Sequence, residues 1–484
     1  MNDPSATEFD EVYYEKLMDG LEFQEILCSE LEFSGRIDAE YYQKQYLAYE
    51  QTIERCQNIK LSSMADFLIG PFGSSYDTSK YVDTPDFRYV RGQDVKPFIL
   101  KNLEPRYMDE EDFNRLSKYS LKADDILVSV VGTLGNACIV SEKDLPAVFS
   151  CKSTVIRANN INPYFLTAYF NSKYGRSLLL RKERGVIQKG LNLDDLRTLK
   201  IPIFSKEFQD TCKKIICGAR QLLDESDDIY RETEKLLEKE LKLQNFHIQT
   251  EQYSIRLFEN SFGNTDRLDA EYYQIEYDEF SKLLKQYHNG YGMIGDICTI
   301  RDGNYNPDAN VEYSYIELAN VGSQGDIFDC SRIYGNDLPS RARRKVYIDD
   351  VIVSSVEGSL SKCAVITPSC DGYICTNGFY VLKSNLINSE TLMVLFKSRP
   401  VQALMKRGCS GTILSAIGKD ELCKIPLPLI ETAVQDKIKQ MIVKSNGIKK
   451  QGKELLSKAV EFIETAIEQG EDTAITICKQ EGLK

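Results

Sequence analysis

Between residues 207 and 243, apolar side chains recur every seven positions, at Phe208, Ile215, Leu222, Ile229, Leu236 and Leu243. The same stripe returns near the end of the chain, at Val434, Met441, Ile448, Leu455 and Phe462, with charged residues filling much of the rest. A period of seven held over five or six heptads predicts long helices that pair as a coiled coil, because a helix lying alone on a domain drifts towards 3.6. The alternative is an amphipathic helix packed on its own domain. Between the stripes runs a second column: Cys212, Ala219, Ser226 and Thr233 in one segment, Ile438, Ser445, Gly452 and Ala459 in the other. Small side chains there permit close helix approach, and the obvious partner of each helix is the other.

The rest of the chain has a different texture. Short β-branched runs such as DILVSVV (126 is its first Ile) and DVIVSSV, bounded by Gly, Asn and Asp, predict strands joined by turns. Segments beginning DAEYYQ and INPYFL show helical spacing instead. Together these predict compact α+β domains carrying long polar loops, at residues 70 to 87 and 301 to 313. Loops on a rigid scaffold are where recognition concentrates.

Residues 36 to 43 read RIDAEYYQ and residues 267 to 274 read RLDAEYYQ. Further matches follow in the same order. Asp124, Asp125, Ser129, Val131 and Cys138 lie over Asp349, Asp350, Ser354, Val356 and Cys363; FRYVRGQDVK (87 to 96) lies over YSYIELANVG (313 to 322), and LKIPI (199 to 203) over CKIPL (423 to 427). Gln209-Asp210 returns as Gln435-Asp436. The chain is therefore a tandem duplication. Each octapeptide has the Asp-first, acidic opening of a capped helix, which assigns Asp38 and Asp269 as caps and Tyr41, Tyr42, Tyr272 and Tyr273 as packing anchors. A base-stacking role for the tyrosines is the alternative.

The expected divisions are 1–35, a preface; 36–203, the first domain; 204–245, a spacer helix; 246–266, a connector; 267–428, the second domain; 429–470, a second spacer helix; and 471–484, a tail. With 484 residues, 42% hydrophobic and 27% charged, the chain is ordinary globular material of two or three domains. It shows no long apolar run and opens on the acidic, polar MNDPSATEFDEVYYEK, so a cytoplasmic location is expected. The 14 cysteines form no CxxC pair, and only His247 and His288 could assist them, which favours small buried hydrophobes over a metal or disulfide framework. A formal charge of −13 argues mildly against unaided, non-specific nucleic-acid binding.

This arrangement resembles the specificity (S) subunits of type I restriction-modification systems. The resemblance rests on GPFGSSYDTSKY (70 to 81), VRGQDVK, the DDILVS…GTLGNACIV block, the KIPI and KIPL ends running into heptad helices, and the doubled R-[IL]-D-A-E-Y-Y-Q. It implies a tandem pair of strand-rich target-recognition domains, each reading a few base pairs of double-stranded DNA, with the long helices pairing as an antiparallel coiled coil. It also implies two methyltransferase (M) subunits as partners, which use S-adenosylmethionine to methylate adenine, and restriction/translocase (R) subunits when cleavage is active. The chain itself would do no chemistry and hold no metal or cofactor. A helix of residues 206 to 243 would span roughly 55 Å at about 1.5 Å per residue, against a DNA repeat of about 34 Å, which suits a split site with an unread middle.

Direct readout wants Arg, Lys, Asn and Gln on groove-facing loops, with cations and hydroxyls on phosphates. In the first domain the candidates are Ser74, Ser75, Tyr76, Arg91, Gln93, Lys152, Lys189 and Asn192. In the second they are Arg301, Asn304, Asn306, Asn320, Gln324, Arg341, Arg343, Arg344 and Asn377. The run PSRARRK (339 to 345) is the densest basic cluster, as apt for a solvated face as for phosphate. Because the loop at 301 to 308 differs from that at 70 to 77, an asymmetric target is expected.

Three rival readings were weighed. INPYF (161 to 165) faintly resembles an adenine-gripping loop, but Tyr164 replaces its second proline and no Gly-rich cofactor turn precedes it. A nuclease or ATPase reading lacks a phosphate loop, and MDEEDF (108 to 113) has no partner lysine. A protein-binding scaffold, two α+β modules on a coiled coil without DNA specificity, is the remaining alternative, slightly favoured by the negative charge.

Overall fold

The computed structural model describes residues 10–482 other than 22, 30, 32–34, 72, 102–104, 186–188, 247–252, 254, 266 and 412–414. Two compact units divide it, one of residues 1–221 with 452–484 and one of residues 222–451. His247 lies outside the described residues.

In the first unit, helix α1 (Lys44–Arg55) leads into β1 (Asn58–Lys60), β2 (Ala65–Ile69), β3 (Phe87–Val90), β4 (Arg106–Met108), β5 (Ile126–Ser129), β6 (Ala137–Ile139), β7 (Ala147–Phe149) and β8 (Ser153–Ala158). Helices α2 (Pro163–Asn171), α3 (Lys173–Arg181) and α4 (Leu193–Arg197), strand β9 (Lys200–Pro202) and the long α5 (Lys206–Glu240) follow. Its sheets are an antiparallel β2-β8-β5-β6 and a mixed β4-β3-β7, with β1 paired to β9.

The second unit repeats this order. It runs through α6 (Ile275–Lys285), β10 (Tyr291–Met293), β11 (Cys298–Arg301), β12 (Glu312–Ile316), β13 (Ser331–Tyr334), β14 (Ala342–Lys345), β15 (Val351–Ser354), β16 (Cys363–Val365), β17 (Ile374–Thr376) and β18 (Phe379–Ser384). Then come α7 (Ser389–Lys397), α8 (Arg399–Arg407), the hairpin β19 (Cys409–Ser410) and β20 (Ala416–Ile417), α9 (Lys419–Cys423), β21 (Pro426–Pro428) and α10 (Thr432–Gln469). Its sheets, β11-β18-β15-β16 and β13-β12-β17-β14, match those of the first unit strand for strand except for β14. That addition is the ARRK of the basic run. At the same edge the first unit has only a single bridge, Ser120 to Val148.

The duplicated Asp-Asp is a turn. Asp124 and Asp349 take left-handed backbone, φ 67° and 65°, at the start of β5 and β15. The next carboxylates, Asp125 and Asp350, are buried and accept the N–H groups of Lys122 (2.9 Å) and Tyr347 (2.7 Å). After glycine, short polar side chains tolerate this backbone best, which suits aspartate to the position in both copies.

The long helices pair antiparallel. In the first unit Phe208 stacks on Phe462 with ring centroids 4.2 Å apart; in the second, the hydroxyls of Ser226 and Ser445 lie 3.0 Å from each other. The buried seam is the column of small residues. Cys212, Ala219, Ser226, Thr233, Ile438, Ser445, Gly452 and Ala459 are all buried. Of the stripe, Phe208, Ile215 and Phe462 are buried, whereas Leu222, Ile229, Leu236, Leu243, Val434, Met441, Ile448 and Leu455 flank the seam half-buried. Close backbone approach leaves no room for bulky residues at the centre and moves them aside. The helices also pack on their own units: Tyr230, Leu237 and Leu241 join the core of the second.

Among the cysteines, Cys138, Cys212, Cys298, Cys363, Cys370, Cys375, Cys409 and Cys478 are buried, and none of the 14 is in a disulfide. His288 pairs with Glu431 at 2.9 Å. No described helix is long and apolar enough to cross a membrane.

Candidate nucleic-acid interface

The octapeptides do not cap helices through aspartate. Asp38 and Asp269 make no side-chain cap hydrogen bond; each is taken by the arginine two residues earlier, whose Nε donates at 2.8 Å in both copies. A guanidinium fork binds a carboxylate more strongly than one backbone N–H does. It also holds Asp38 and Asp269 below the usual carboxylate range, through that hydrogen bond first.

The same arginines cover the first tyrosine of each copy. Arg36 lies 4.6 Å from the Tyr41 ring centroid and Arg267 4.4 Å from that of Tyr272; Arg181 and Arg407 take the corresponding places at 4.2 and 4.5 Å. The second tyrosine closes the knot, Tyr42 Oη donating to Arg36 O (3.1 Å) and Tyr273 Oη to Arg267 O (2.9 Å). Tyr41, Tyr42 and Tyr272 are buried and Tyr273 half-buried, so they anchor as expected.

A second duplicated pair acquires a role the sequence did not disclose. Gln209 Oε1 accepts the N–H of Asn162 (2.9 Å), and Gln435 Oε1 that of Asn388 (2.7 Å). Each glutamine therefore ties its long helix to the start of α2 or α7. Asn162 itself caps α2 through Tyr164 N–H, so the Asn-Pro-Tyr of INPYF is a helix start, with Pro163 in the first turn.

In the first unit several candidates converge. Gly70, before the Ser74–Ser75 turn, packs directly on the Ser150 carbonyl, and a Cβ on Gly92 would lie 2.6 Å from that of Lys152. Val130 N–H donates to Lys152 O (2.9 Å), and Leu191 N–H to Val130 O (3.0 Å). The loops holding Ser74, Gln93, Lys152, Lys189 and Asn192 thus form one surface. Ser74, Gln93, Lys152, Lys189 and Asn192 are exposed, and Ser75 is half-buried. Lys189 pairs with Glu183 at 2.5 Å.

Two first-unit candidates do not belong to it. Tyr76 is only 4% exposed, set among Tyr81 and Tyr89; burial first, then nearby carboxylates, pushes its hydroxyl up to about 12. Arg91 folds back on the buried Asp94 (2.8 Å), closing a turn.

The second unit gathers Asn304, Asn306, Arg341, Arg343 and Asn377. Tyr305 N–H donates to Arg343 O (2.7 Å), which lays the Asn304–Asn306 loop along β14, and Asn377 N–H donates to Arg341 O (2.8 Å). Asn304, Asn306, Arg341 and Asn377 are exposed. Arg341 pairs with Glu317 (2.6 Å), Arg343 Nε donates to Ser340 O (2.7 Å), and Arg344 lies over Tyr380 at 5.3 Å. Lys345, 4.9 Å from the Tyr305 ring, and Lys419, paired to Asp302 at 2.7 Å, border the same loop. Lys345 stood in the basic run; nothing in the sequence marked Lys419.

Three second-unit candidates are engaged by turns or helices of their own unit. Arg301 pairs with the buried Asp350 and covers Tyr347. Asn320 completes a turn, accepting Glu317 N–H (2.7 Å) and donating to Asp329 O (2.9 Å), the place Asp94 fills in the first unit. Gln324 bridges the long helices, donating to Asp227 (2.7 Å) and accepting from Lys449 (2.9 Å). No group of three or more potential metal ligands occurs among the described residues.

Residues 55–217 match the family model described as Type I restriction modification DNA specificity domain. The resemblance read from the motifs is borne out over that stretch. Among solved structures, the chain is similar to the S subunit of a type I restriction-modification system from M. genitalium, at 14% identity over 85% of this chain and 94% of that one, TM-score 0.40. It is also similar to the HsdS subunit from Thermoanaerobacter tengcongensis, at 16% identity over 86% and 97%, TM-score 0.27. A third match, from a study of assembly and conformational transition of a type I R-M system, has 14% identity over 87% and 96%, TM-score 0.25. No curated protein matches the chain.

Proposed function

We propose that this chain, whose residues 55–217 match the family model of a type I restriction modification DNA specificity domain, is the non-catalytic sequence-reading subunit of a type I restriction-modification complex. Its two units read the two halves of a bipartite, asymmetric site in double-stranded DNA. Two methyltransferase subunits, carrying S-adenosylmethionine, modify adenine where this chain places them, and restriction/translocase subunits cleave unmodified DNA, a defence against phage.

The observation that carries this reading is a duplicated domain whose loops bring exposed amides, hydroxyls and cations onto one surface in each unit. Lys152, Lys189 and Gln93 serve the first; Arg341, Arg343 and Asn377 serve the second. Phosphate contacts from such cations fix register, while Gln and Asn read base edges. Because β14 and its arginines have no counterpart among the described strands of the first unit, the two half-sites are expected to differ.

The formal charge of −13 favours the scaffold reading, in which the units bind proteins only. Acidic surface serves equally for contact with partner subunits. Base-modification sequencing of the host genome with and without this gene separates the two. Loss of methyladenine at one split, asymmetric motif supports the specificity reading. Unchanged methylation, with no sequence-selective binding by the chain together with its methyltransferase, refutes it.

A further inference from the structure

The octapeptide knot does not reach the reading surface, yet in each unit its arginine grips the segment that does. Arg36 Nη2 donates to the carbonyl of Glu183 (3.0 Å), just past the end of α3. Glu183 holds Lys189, and the next residue, Arg184, exchanges backbone hydrogen bonds with Gly190 (2.9 and 2.8 Å). Gly190 bridges to Val131, and the neighbouring Val130 N–H donates to Lys152 O. A few hydrogen bonds thus separate Arg36 from Lys189 and Lys152.

The second unit makes the same connection with different residues. Arg267 Nη1 donates to the carbonyl of Cys409 (3.1 Å), just past the end of α8. Cys409 pairs with Ile417, whose N–H donates to Ser355 O (2.8 Å). Ser355 N–H donates to Gly378 O (2.8 Å), and the adjoining Asn377 N–H to Arg341 O (2.8 Å). Reading residues differ between the units; the grip is the same.

We infer that Arg36 and Arg267 are positioning residues, each setting the reading surface of its own unit by fixing the backbone just past α3 or α8, from which the hydrogen bonds to that surface run. The inference rests on the proposed DNA-reading function. Each guanidinium is held on three sides at once, by a carboxylate, a tyrosine face and a backbone carbonyl. A lysine supplies charge without the planar fork and cannot satisfy all three. The test reads the coupling directly, half-site by half-site.

The test uses the complete complex with its methyltransferase subunits, comparing wild type, Arg36→Lys, Arg267→Lys, Asp38→Asn and Ile37→Ala by base-modification sequencing. Arg36→Lys should raise methylation at sites mismatched in one half of the motif by about tenfold relative to the cognate site, leaving the other half as strict as before. Arg267→Lys should relax the opposite half only. Asp38→Asn, which frees the guanidinium from its carboxylate, should relax the same half as Arg36→Lys, less strongly. Ile37→Ala, at a side chain 89% exposed in the same octapeptide, should change neither half. Equal relaxation of both halves, lower methylation with an unchanged motif, or failed assembly of both Arg36→Lys and Asp38→Asn overturns the inference. A wild-type complex that methylates no split motif sinks the proposed function itself.

Discussion

Replacing Gln435 with leucine removes a side chain of similar volume whose polar end is buried and fully engaged. Its Oε1 accepts Asn388 N–H at 2.7 Å, and its Nε2 donates to Leu386 O at 3.0 Å and Ile430 O at 2.8 Å. Leucine offers none of these, and each stranded buried group costs about 1–3 kcal/mol, so a local loss of roughly 3–5 kcal/mol is expected once water satisfies some of them. The first unit supplies an internal control. Gln209 makes two such bonds, to Asn162 N–H at 2.9 Å and Phe204 O at 3.0 Å, and is half-buried, so Gln209→Leu should cost about 1–2 kcal/mol. Native-state hydrogen exchange resolves the two sites: protection at the start of α7 should fall on the order of a hundredfold or more in Gln435→Leu, and at the start of α2 by about tenfold in Gln209→Leu. A loss in Gln209→Leu as large as in Gln435→Leu would refute the reasoning that counted bonds and burial set the cost.

Phe208→Ala, in a fully buried ring stacked on Phe462, should destabilise the first unit by about 3–5 kcal/mol in denaturant unfolding, and Phe208→Ala with Phe462→Ala should cost less than the sum. Asp38 and Asp269 have depressed folded pKa values, so their contribution is present above the unfolded value near about 4 and lost as pH falls through the folded one. The melting temperature of the wild type should therefore drop more steeply with acid than that of Asp38→Asn with Asp269→Asn; parallel curves would contradict this. Lys152→Ala and Arg341→Ala should each lower the log–log salt slope of DNA binding by about 1, measured with the partner subunits present. Tyr76→Phe, at a buried ring whose hydroxyl donates to Lys80 O at 3.3 Å, should leave DNA binding unchanged.

The duplication was legible because it is written in residues that backbone geometry constrains: the Asp-Asp turn, the octapeptide, and the Gln-Asp of each long helix. Their order alone predicted the order of elements in both units. Roles were harder to read. Asp38 carries every mark of a cap, but Arg36 sits two residues away and competes for the carboxylate more strongly than a backbone N–H. In the long helices both the bulky stripe and the column of mostly small residues were legible, but the pattern did not say that the column would hold the buried seam while most of the stripe flanks it. Among the recognition candidates, Arg91, Arg301, Asn320 and Gln324 have the right chemistry for DNA but close turns, a buried ion pair or a bridge between helices, whereas Lys189 and Arg341 keep their partners at the exposed surface. Only tertiary contacts reveal which polar side chains are already occupied, and periodicity carries no information about them.

The serine pair in the second unit has a consequence for how the rod is set. Ser226 and Ser445 are buried, and each hydroxyl also donates to the other's backbone carbonyl, at 3.0 and 2.9 Å. A slip of one turn would bring Ser226 towards Ile442 or Lys449, stranding both hydroxyls. The pair acts as a detent: to the apolar packing of the second unit it adds a polar preference for one notch. Alanine at both positions would keep the close approach and lose that preference, leaving the second unit's stretch of the seam as tightly packed but less particular about where it settles.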